Sequence, residues 1–323
     1  MRVLVTGGAG YVGSVSVERL VDAGHQVTVL DTLVTGHLSG VVSGAELVDG
    51  SVGDRELVGR VLREKRIEAV LHCAARSLVG QSMTDPALYY RENVIGGIGL
   101  LDSLHDAGVD RIVFSSTAAV YGEPERSPIL ETDPTRPMSP YGASKLAFEG
   151  AMRWYGSYGL RSVALRYFNV AGASVVNGED HEPETHLIPN LLRAARSGQP
   201  VTLFGDDYPT PDGTNVRDYI DVTDLADAHI AALELTATNE PGIEICNLGS
   251  GGGFSVRQVL AAAEGVVGHA IAHSFGPRRA GDPPMLVASN ERAATILGWH
   301  PERSTLPAMI GSAWAWMGAR AAG

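Results

Sequence analysis

Short apolar runs alternate with longer helical patterns along the first half of the chain. Each run is hydrophobic throughout, as expected of parallel strands that are covered by helices on both faces. The predicted strands lie at 3–5, 27–30, 46–48, 69–72, 111–114 and 162–166. The predicted helices between them lie at about 11–23, 54–65, 86–107 and 141–158. This alternation predicts an α/β fold with a doubly wound parallel sheet.

The pattern becomes less regular after about Phe168, where polar segments rich in glycine and proline separate the apolar ones. Loops are predicted at 174–185 and 205–216, and a basic, turn-rich loop at 277–284. Further helices are predicted at about 186–197, 223–235 and 254–265, and further strand-like runs at 218–222 and 244–248. We therefore predict a first domain over 1–168, to which about 218–248 return, and a smaller α/β domain over 169–323.

A glycine-rich turn follows the first strand. Two spacings overlap there, Gly8-x-Gly10-x-x-Gly13 and Gly7-x-x-Gly10-x-x-Gly13. Glycines at such positions allow a tight turn and let a pyrophosphate approach the N-terminus of the next helix. Asp31 ends the second strand about 20 residues later, where an acid accepts hydrogen bonds from a ribose 2′-OH and repels a 2′-phosphate. The combination is typical of a Rossmann-type site that prefers NAD to NADP. The alternative is a nucleotide-free turn with a solvated Asp31.

Tyr141 and Lys145 are four residues apart, so a helix that begins near Pro140 places them on one face. A free phenol has a pKa of about 10, and a nearby ammonium group lowers it by favouring the phenolate. The pair is therefore a candidate acid–base device, although any exposed helix can carry a Tyr and a Lys at this spacing. The hydroxyls of Ser115–Thr117 follow a strand at the edge where open α/β sheets bind ligands, or they serve only as turn residues.

The chain of 323 residues carries a formal net charge of −12. This charge disfavours nucleic acids and anionic membranes as partners, so an anionic ligand must be held by local donors. Arg278 and Arg279 form a candidate anion site or a solvated surface pair. Cys73 and Cys246 indicate neither a disulfide framework nor a zinc site, so we predict no metal and expect a reducing, cytoplasmic location. No run reaches the roughly 18 apolar residues of a membrane span, and we expect no signal peptide.

The glycine motif, Asp31, Thr117 and the Tyr141–Lys145 pair occur in the order found in the extended short-chain dehydrogenase/reductases, which the chain resembles. Motifs in the second half narrow the resemblance to the UDP-glucose 4-epimerases. They are Leu165-Arg166-Tyr167-Phe168-Asn169, Phe204-Gly205-Asp206-Asp207-Tyr208-Pro209-Thr210, Asp212-Gly213-Thr214, Val216-Arg217-Asp218-Tyr219-Ile220, Asn247-Leu248-Gly249 and Arg278-Arg279-x-Gly281-Asp282-Pro283. The resemblance extends over nearly the whole chain.

The resemblance implies an NAD-dependent 4-epimerase that interconverts UDP-galactose and UDP-glucose through a transient 4-keto sugar. Tyr141 would be the base, and Thr117 would hydrogen-bond the reacting oxygen. Lys145 would bind the nicotinamide ribose and, with the cationic nicotinamide ring, hold Tyr141 ionised. The other implied NAD contacts are Gly7, Gly10, Tyr11, Val12, Gly13, Asp31, Thr32, Thr35, Gly36, Ser51, Val52, Cys73, Ala74, Ala75, Ser77, Ser115 and Phe168. The other implied UDP-sugar contacts are Asn169, His186, Leu187, Thr202, Phe204, Arg217, Arg279, Asp282 and Leu286.

By the same resemblance, the first domain would bind NAD and the second the UDP-sugar. Helices 86–107 and 141–158 would pack into a four-helix bundle in a homodimer.

Several residues depart from the pattern of the resembling family. Ser51 stands where an Asp usually contacts adenine, which would weaken the retention of NAD. Ala118 and Ala119 replace the acidic pair of the related 4,6-dehydratases, so water elimination is disfavoured. Leu286 leaves open whether acetamido sugars are accepted. The alternatives are a 4-epimerase or reductase for another nucleotide sugar, such as UDP-N-acetylglucosamine, UDP-N-acetylgalactosamine or a uronic acid, and a non-catalytic NAD-sensing regulator.

Overall fold

Short strands recur throughout the computed structural model, which describes residues 1–279 and 282–322. The strands are β1 Arg2–Thr6, β2 Gln26–Asp31, β3 Ala45–Asp49, β4 Ala69–His72, β5 Arg111–Thr117, β6 Arg161–Tyr167, β7 Asn169–Ala171, β8 Val201–Phe204, β9 Val216–Arg217, β10 Tyr219–Asp221, β11 Gly242–Leu248, β12 Phe254–Ser255, β13 His273–Gly276 and β14 Met285–Leu286. The strands predicted in the first half are confirmed, although β5 extends through Thr117.

Seven parallel strands form the central sheet in the order β11-β6-β5-β4-β1-β2-β3. The chain winds outward from β1 to β3 on one side and from β4 to β6 on the other, which confirms the doubly wound sheet. The connections that follow β1 and β4 lead to opposite sides of the sheet. Ligands of such sheets bind beside this point, at the carboxyl ends of the strands. Strand β11 pairs with β6, with Asn247 opposite Arg166, so residues 244–248 lie in the central sheet. Strand β10 pairs instead with β7, outside this sheet.

Helices cover both faces of the sheet. They are α1 Tyr11–Asp22, α2 Arg55–Glu64, α3 Val79–Thr84, α4 Pro86–Tyr89, α5 Gly96–Ala107, α6 Pro140–Tyr155, α7 Leu187–Ser197, α8 Val222–Leu235, α9 Val256–Val267, α10 Glu291–Leu297 and α11 Leu306–Ala322. A π-helical segment, Tyr90–Ile95, joins α4 to α5, so the uniform helix predicted over 86–107 is interrupted. The sequence pattern does not predict α3, α10 or α11, and the first two are too short to show a helical period.

Side chains of the central strands alternate between two apolar layers, because successive residues of a strand face opposite sides of the sheet. Val3 and Val5 of β1 belong to the layer that contains α1 and α8, whereas Leu4 belongs to the layer with α2, α5 and α6. Gly97 of α5 lies against α6, since an added Cβ would meet the Phe148 ring at 2.6 Å. The glycine inside α5 therefore permits close packing of the two helices.

A separate apolar cluster lies in the second half of the chain. Helices α7, α9 and α11 contribute Leu191, Val259 and Met309, which are fully buried there. Small sheets pair β8 with β13 and β9 with both β12 and β14. These strands are too short to produce an alternating pattern in the sequence. The predicted domain boundary between 168 and 169 stays a prediction.

Glu149 of α6 and Arg166 of β6 form a buried ion pair, with 4% of each side chain exposed. Arg166 donates from Nε to Oε1 at 3.0 Å and from Nη2 to Oε2 at 2.6 Å, which is the bidentate geometry of a strong charge-assisted pair. Ser116 of β5 donates to the same carboxylate at 2.5 Å, and Tyr121 accepts from Arg166 at 2.9 Å. The pair therefore fastens α6 to β5 and β6.

Replacing Arg166 should destabilise the protein severely. In Arg166→Met the Glu149 carboxylate stays buried without its partner, and breaking such a pair costs about 3–5 kcal/mol. The matched control is Arg136→Met, because the Arg136–Glu125 pair is exposed at 71% and 66% of its side chains. Removal of an exposed pair costs at most about 1 kcal/mol. Thermal or denaturant unfolding would measure both variants, and equal losses of stability would contradict this account.

Candidate active site

A cleft of about 1140 Å³ lies at the carboxyl ends of the central strands and extends to the second apolar cluster. Every residue that the sequence analysis assigns to NAD or UDP-sugar contact lines this cleft, with the exception of Ser115. Ser115 is buried, with 1% of its surface exposed. The structure therefore brings the predicted set together, although the role of each residue stays a prediction.

The glycine turn brings backbone segments into close contact at the start of α1. Gly7 has φ +71°, where an L side chain is strained, and a Cβ there would lie 2.5 Å from the Ala74 amide nitrogen. A Cβ on Gly13 would lie 2.0 Å from the Gly7 carbonyl oxygen. A Cβ on Gly10 would meet only that oxygen, at 3.5 Å. The backbone itself thus requires Gly7 and Gly13, whereas the space at Gly10 suits a phosphate that approaches the helix N-terminus.

Asp31 is held in the cleft by two backbone donors. Ala9 donates to Oδ2 at 3.0 Å, and Leu33 donates to Oδ1 at 2.9 Å. Each carboxylate oxygen has more than one acceptor site, so ribose hydroxyls can still bind there. The glycine turn and Asp31 together fit the adenosine diphosphate half of a dinucleotide.

Helix α6 presents the predicted acid–base pair. Ser139 caps the helix by accepting a backbone N–H of the first turn at 3.2 Å, and Pro140 occupies that turn. Tyr141, Lys145 and Glu149 follow at four-residue intervals and therefore share one face. The Lys145 ammonium nitrogen lies 6.0 Å from the centroid of the Tyr141 ring.

Ser115 is buried beneath the site and contacts three of its neighbouring side chains. Its carbonyl oxygen accepts a hydrogen bond from Lys145 Nζ at 2.8 Å. Its hydroxyl lies 3.2 Å from Cys73 Sγ and 2.9 Å from His229 Nε2. Burial raises the pKa of Cys73 to about 11, so this cysteine is a thiol at neutral pH. Ser115 thus positions the lysine.

Burial governs the ionisation of the pair. It raises the pKa of Tyr141, and a hydrogen bond with Thr117 acts in the opposite direction. It lowers the pKa of Lys145 to about 8, while the Glu149 carboxylate acts to raise it. Desolvation of the phenolate is the largest influence on the pKa of Tyr141 and outweighs the hydrogen bond with Thr117. A phenolate here needs positive charge beyond that of the lysine.

Arg217 of β9 faces the cleft from the second half of the chain. It forms a salt bridge with Asp282, and 11% of its side chain is exposed. Its Nη1 donates to the Val216 carbonyl at 2.7 Å, while Asn215 donates to the other oxygen of Asp282 at 2.8 Å. These contacts fix the plane of the guanidinium group.

Arg279 and its neighbour Arg278 differ in their surroundings. The Arg279 guanidinium stacks over Phe204 at 4.4 Å from the ring centroid and lines the cleft. Stacking leaves the N–H groups at the edge of the guanidinium plane available to an anion. Arg278 contacts Asp207 at 2.6 Å instead. Of the predicted anion-binding pair, Arg279 is therefore the better placed. Gly281 of the same motif lies outside the described residues.

Further residues of the cleft come from short elements. Asn169 of β7 donates to the Asp218 carbonyl at 3.0 Å, which orients its side-chain amide. Leu286 of β14 lies beside Arg217 in the β14–β9 pairing, so its side-chain size can affect the sugar end of the cleft. His186 precedes α7 and contacts acidic side chains of the preceding loop.

Sequence reasoning missed three residues near the site. Asn93 of the π-helical segment accepts from Arg76 N at 2.8 Å and donates to Ser144 Oγ at 3.0 Å, so it links the loop after β4 to α6. No sequence pattern marks this role. Glu179 and His181 also line the cleft. Together with Glu184 and His186 they form a Glu-x-His-x-x-Glu-x-His pattern of metal-ligand residue types, which is visible in the sequence.

A model of the NAD dependent epimerase/dehydratase family matches residues 3–249 of the chain. The chain belongs to this family. The match includes the glycine turn, Asp31, Tyr141 and Lys145, and it extends through strand β11. It confirms the family-level prediction made from the sequence.

Known members of the family resemble the chain over almost its whole length. The chain is 49% identical over 321 residues to a UDP-glucose 4-epimerase of Lactobacillus helveticus, covering 98% of this chain and 97% of the relative. It is 42% identical to the UDP-glucose 4-epimerase of Brucella ovis solved with NAD, with a TM-score of 0.93 and 97% of each chain covered. It is 36% identical to that of Bifidobacterium longum solved with NAD⁺ and UDP, with a TM-score of 0.93 and 99% of each chain covered. The central sheet with its helices and the smaller second lobe, which contains α7, α9 and α11, therefore both share the fold of these proteins.

Gly10→Ala should separate cofactor binding from folding. The added methyl group fits the free fold, because its nearest contact is 3.5 Å away, but it occupies the predicted approach of the pyrophosphate. We expect NAD⁺ affinity to fall at least about tenfold, or ~1.4 kcal/mol. Calorimetry on cofactor-stripped protein would measure it.

Gly265→Ala is the matched control, since that glycine lies in α9 with open space around it. It should leave NAD⁺ affinity unchanged. Unaltered affinity in Gly10→Ala would show that the pyrophosphate does not bind at this turn.

Proposed function

We propose that the chain is an NAD-dependent 4-epimerase that interconverts UDP-galactose and UDP-glucose. The observation that carries the proposal is the single cleft shared by the glycine turn, the Tyr141–Lys145 pair and two arginines, Arg217 and Arg279. Membership of an NAD-dependent family and the names of the similar proteins support the same activity.

In this mechanism Tyr141 takes the proton of the sugar 4-hydroxyl and later returns a proton to the same oxygen. When bound, NAD⁺ supplies the acceptor and then the donor of the hydride at C4, together with the positive charge of its ring. Thr117 hydrogen-bonds the reacting oxygen, and Lys145 is held beside the phenol by the Ser115 carbonyl. The configuration at C4 inverts if the 4-keto sugar turns before the hydride returns.

The two arginines bind the diphosphate of the substrate. A planar guanidinium donates two hydrogen bonds to phosphate oxygens, and Arg217 and Arg279 are each held in a defined plane. They supply the local positive charge that a chain of net charge −12 requires to hold a dianionic group. The sugar itself is bound less firmly, so it can rotate.

The residues after Thr117 argue against dehydration. Ala118 and Ala119 begin a 3₁₀ turn and line the cleft, where a 4,6-dehydratase has an acid and a base. Alanine can neither donate nor accept a proton. The keto sugar is therefore reduced again instead of losing water.

The test is to incubate the purified protein with UDP-galactose and no added cofactor, and to separate the products by chromatography. We expect UDP-glucose to form without net NADH, because the cofactor is regenerated in each turnover. Tyr141→Phe should lower the rate by about 10²–10⁴-fold, the usual contribution of an acid–base group. Val175→Ala is the control, since Val175 is 94% exposed and does not line the cleft.

The outcomes of this assay are distinct. Conversion only after addition of NAD⁺ would identify weak cofactor retention, which Ser51→Asp should then improve. Conversion of UDP-N-acetylgalactosamine in place of UDP-galactose would reassign the sugar. No conversion of either substrate in any condition would contradict the proposed function.

We further propose a homodimer in which the helical segment 86–107 and α6 form a four-helix bundle. Apolar side chains on or beside these elements are exposed in the single chain, among them Ile95 at 67%, Trp154 at 76% and Tyr158 at 64%. Exposed large apolar side chains on these elements support an interaction site there.

We also propose a cytoplasmic location, which suits the free thiols of Cys73 and Cys246. None of the described helices is both long and apolar enough to cross a bilayer.

Light scattering should give the mass of a dimer at micromolar concentration. Trp154→Asp should shift the protein towards monomer, since it places a charge in the proposed interface. Val175→Asp is the control, because Val175 is 94% exposed in a loop away from these helices. A monomeric wild-type protein would reject the bundle.

A further inference from the structure

The loop before α7 gathers four metal-ligand side chains in the wall of the cleft. They are Glu179, His181, Glu184 and His186, and one ligand atom from each lies within 4.8 Å of the others. His186 Nδ1 is 2.6 Å from Glu179 Oε1 and 3.0 Å from Glu184 Oε1, and His181 Nδ1 is 3.0 Å from Glu179 Oε1. All four come from one segment of eight residues, so a single loop conformation sets the whole cluster.

Glu184 is the most informative member. Only 1% of its side chain is exposed. One carboxylate oxygen accepts from the backbone amides of Thr185 at 2.7 Å and His186 at 2.8 Å. The other oxygen, Oε2, is buried and has no hydrogen-bond partner among the described residues. Arg193 Nη2 lies 4.0 Å from this oxygen, which is beyond hydrogen-bond distance. A buried carboxylate oxygen without a donor is costly, so it indicates a missing positive ligand.

The charges of the cluster favour a cation. Glu179 and Glu184 are both largely buried, with 6% and 1% of their side chains exposed. Two carboxylates beside a cleft for a diphosphate would repel it unless their charge is compensated. A divalent ion bound between them compensates both charges.

We propose that Glu179, His181, Glu184 and His186 bind one divalent transition-metal ion of the zinc type. Two imidazole nitrogens and two carboxylate oxygens are a ligand set that zinc accepts in tetrahedral geometry, whereas magnesium and calcium prefer oxygen ligands alone. This assignment departs from the sequence analysis, which predicts no metal. It also gives His186 a metal-binding role in place of direct contact with the UDP-sugar.

The ion fixes the loop against the cofactor side of the cleft. The His181 ring lies 6.3 Å from the ring of Tyr11, which belongs to the glycine turn. Tyr11 in turn donates to the Gly172 carbonyl at 2.6 Å. His186 directly precedes α7, so the ion also anchors the first turn of that helix. The metal is therefore structural, and its binding does not depend on the proposed epimerase activity.

The test uses untagged full-length protein. Metal content is measured by mass spectrometry, the protein is then stripped with a chelator, and zinc is titrated against a chromophoric competitor. We expect one zinc ion per chain, a lower melting temperature after stripping, and recovery on addition of zinc. Glu184→Gln and His181→Gln should each weaken zinc binding by at least about tenfold. His300→Gln, at an exposed position, should bind zinc like the wild type.

Cobalt provides a measurement that needs no variant. Co²⁺ added to stripped protein should give the intense visible absorption of a tetrahedral site, and zinc should remove it. Stripped wild-type protein that binds neither ion would overturn the proposal. Equal zinc affinity in Glu184→Gln and the wild type would also overturn it. If the metal site is absent but UDP-galactose is converted, the proposal fails and the proposed function stands.

Discussion

The buried ion pair between Glu149 and Arg166 is the contact on which the position of the site depends. It joins α6 to β6 with two short hydrogen bonds, and Ser116 extends the contact to β5. Tyr121 carries it further to Asn247 of β11, to which it donates at 2.7 Å. Because Glu149 lies two turns beyond Tyr141 on the same face of α6, the pair also sets where the phenol meets the cleft. The bidentate geometry of the pair defines the position of α6 relative to β6.

A second constraint acts where α1 begins. Gly7 and Gly13 have no room for a side chain, so the turn after β1 can close only with glycine, and this closure leaves the space at Gly10. The same carboxyl edge of the sheet carries Asp31 and the support of Lys145. Sheet topology thus concentrates the proposed cofactor contacts at one edge of the sheet, whereas Arg217 and Arg279 line the same cleft from the second half of the chain. An acidic chain can bind two anionic molecules in one cleft because each meets its own local donors.

Burial shifts the pKa values of both members of the Tyr141–Lys145 pair. It raises the pKa of Tyr141 and lowers that of Lys145 to about 8, so neither group behaves as its exposed counterpart. The proposed chemistry therefore depends on positive charge brought close to the phenol. The cost of burying a charge also applies to the loop of Glu179 and Glu184, because buried carboxylates are stabilised by a nearby cation.

The sequence by itself determined the strands and helices of the sheet, the glycine turn and the spacing of Tyr141 and Lys145. These features depend on local rules, since periodicity, turn chemistry and helix geometry act within a few residues. The short strands of the second lobe and helix α11 could not be predicted, because their pairing and packing partners are distant in the chain. Only the tertiary structure showed that Ser115 acts through its carbonyl, that Asn93 bridges a loop and a helix, and that Glu184 has an unpartnered oxygen. Each depends on burial and on contacts between distant segments, which no local pattern specifies.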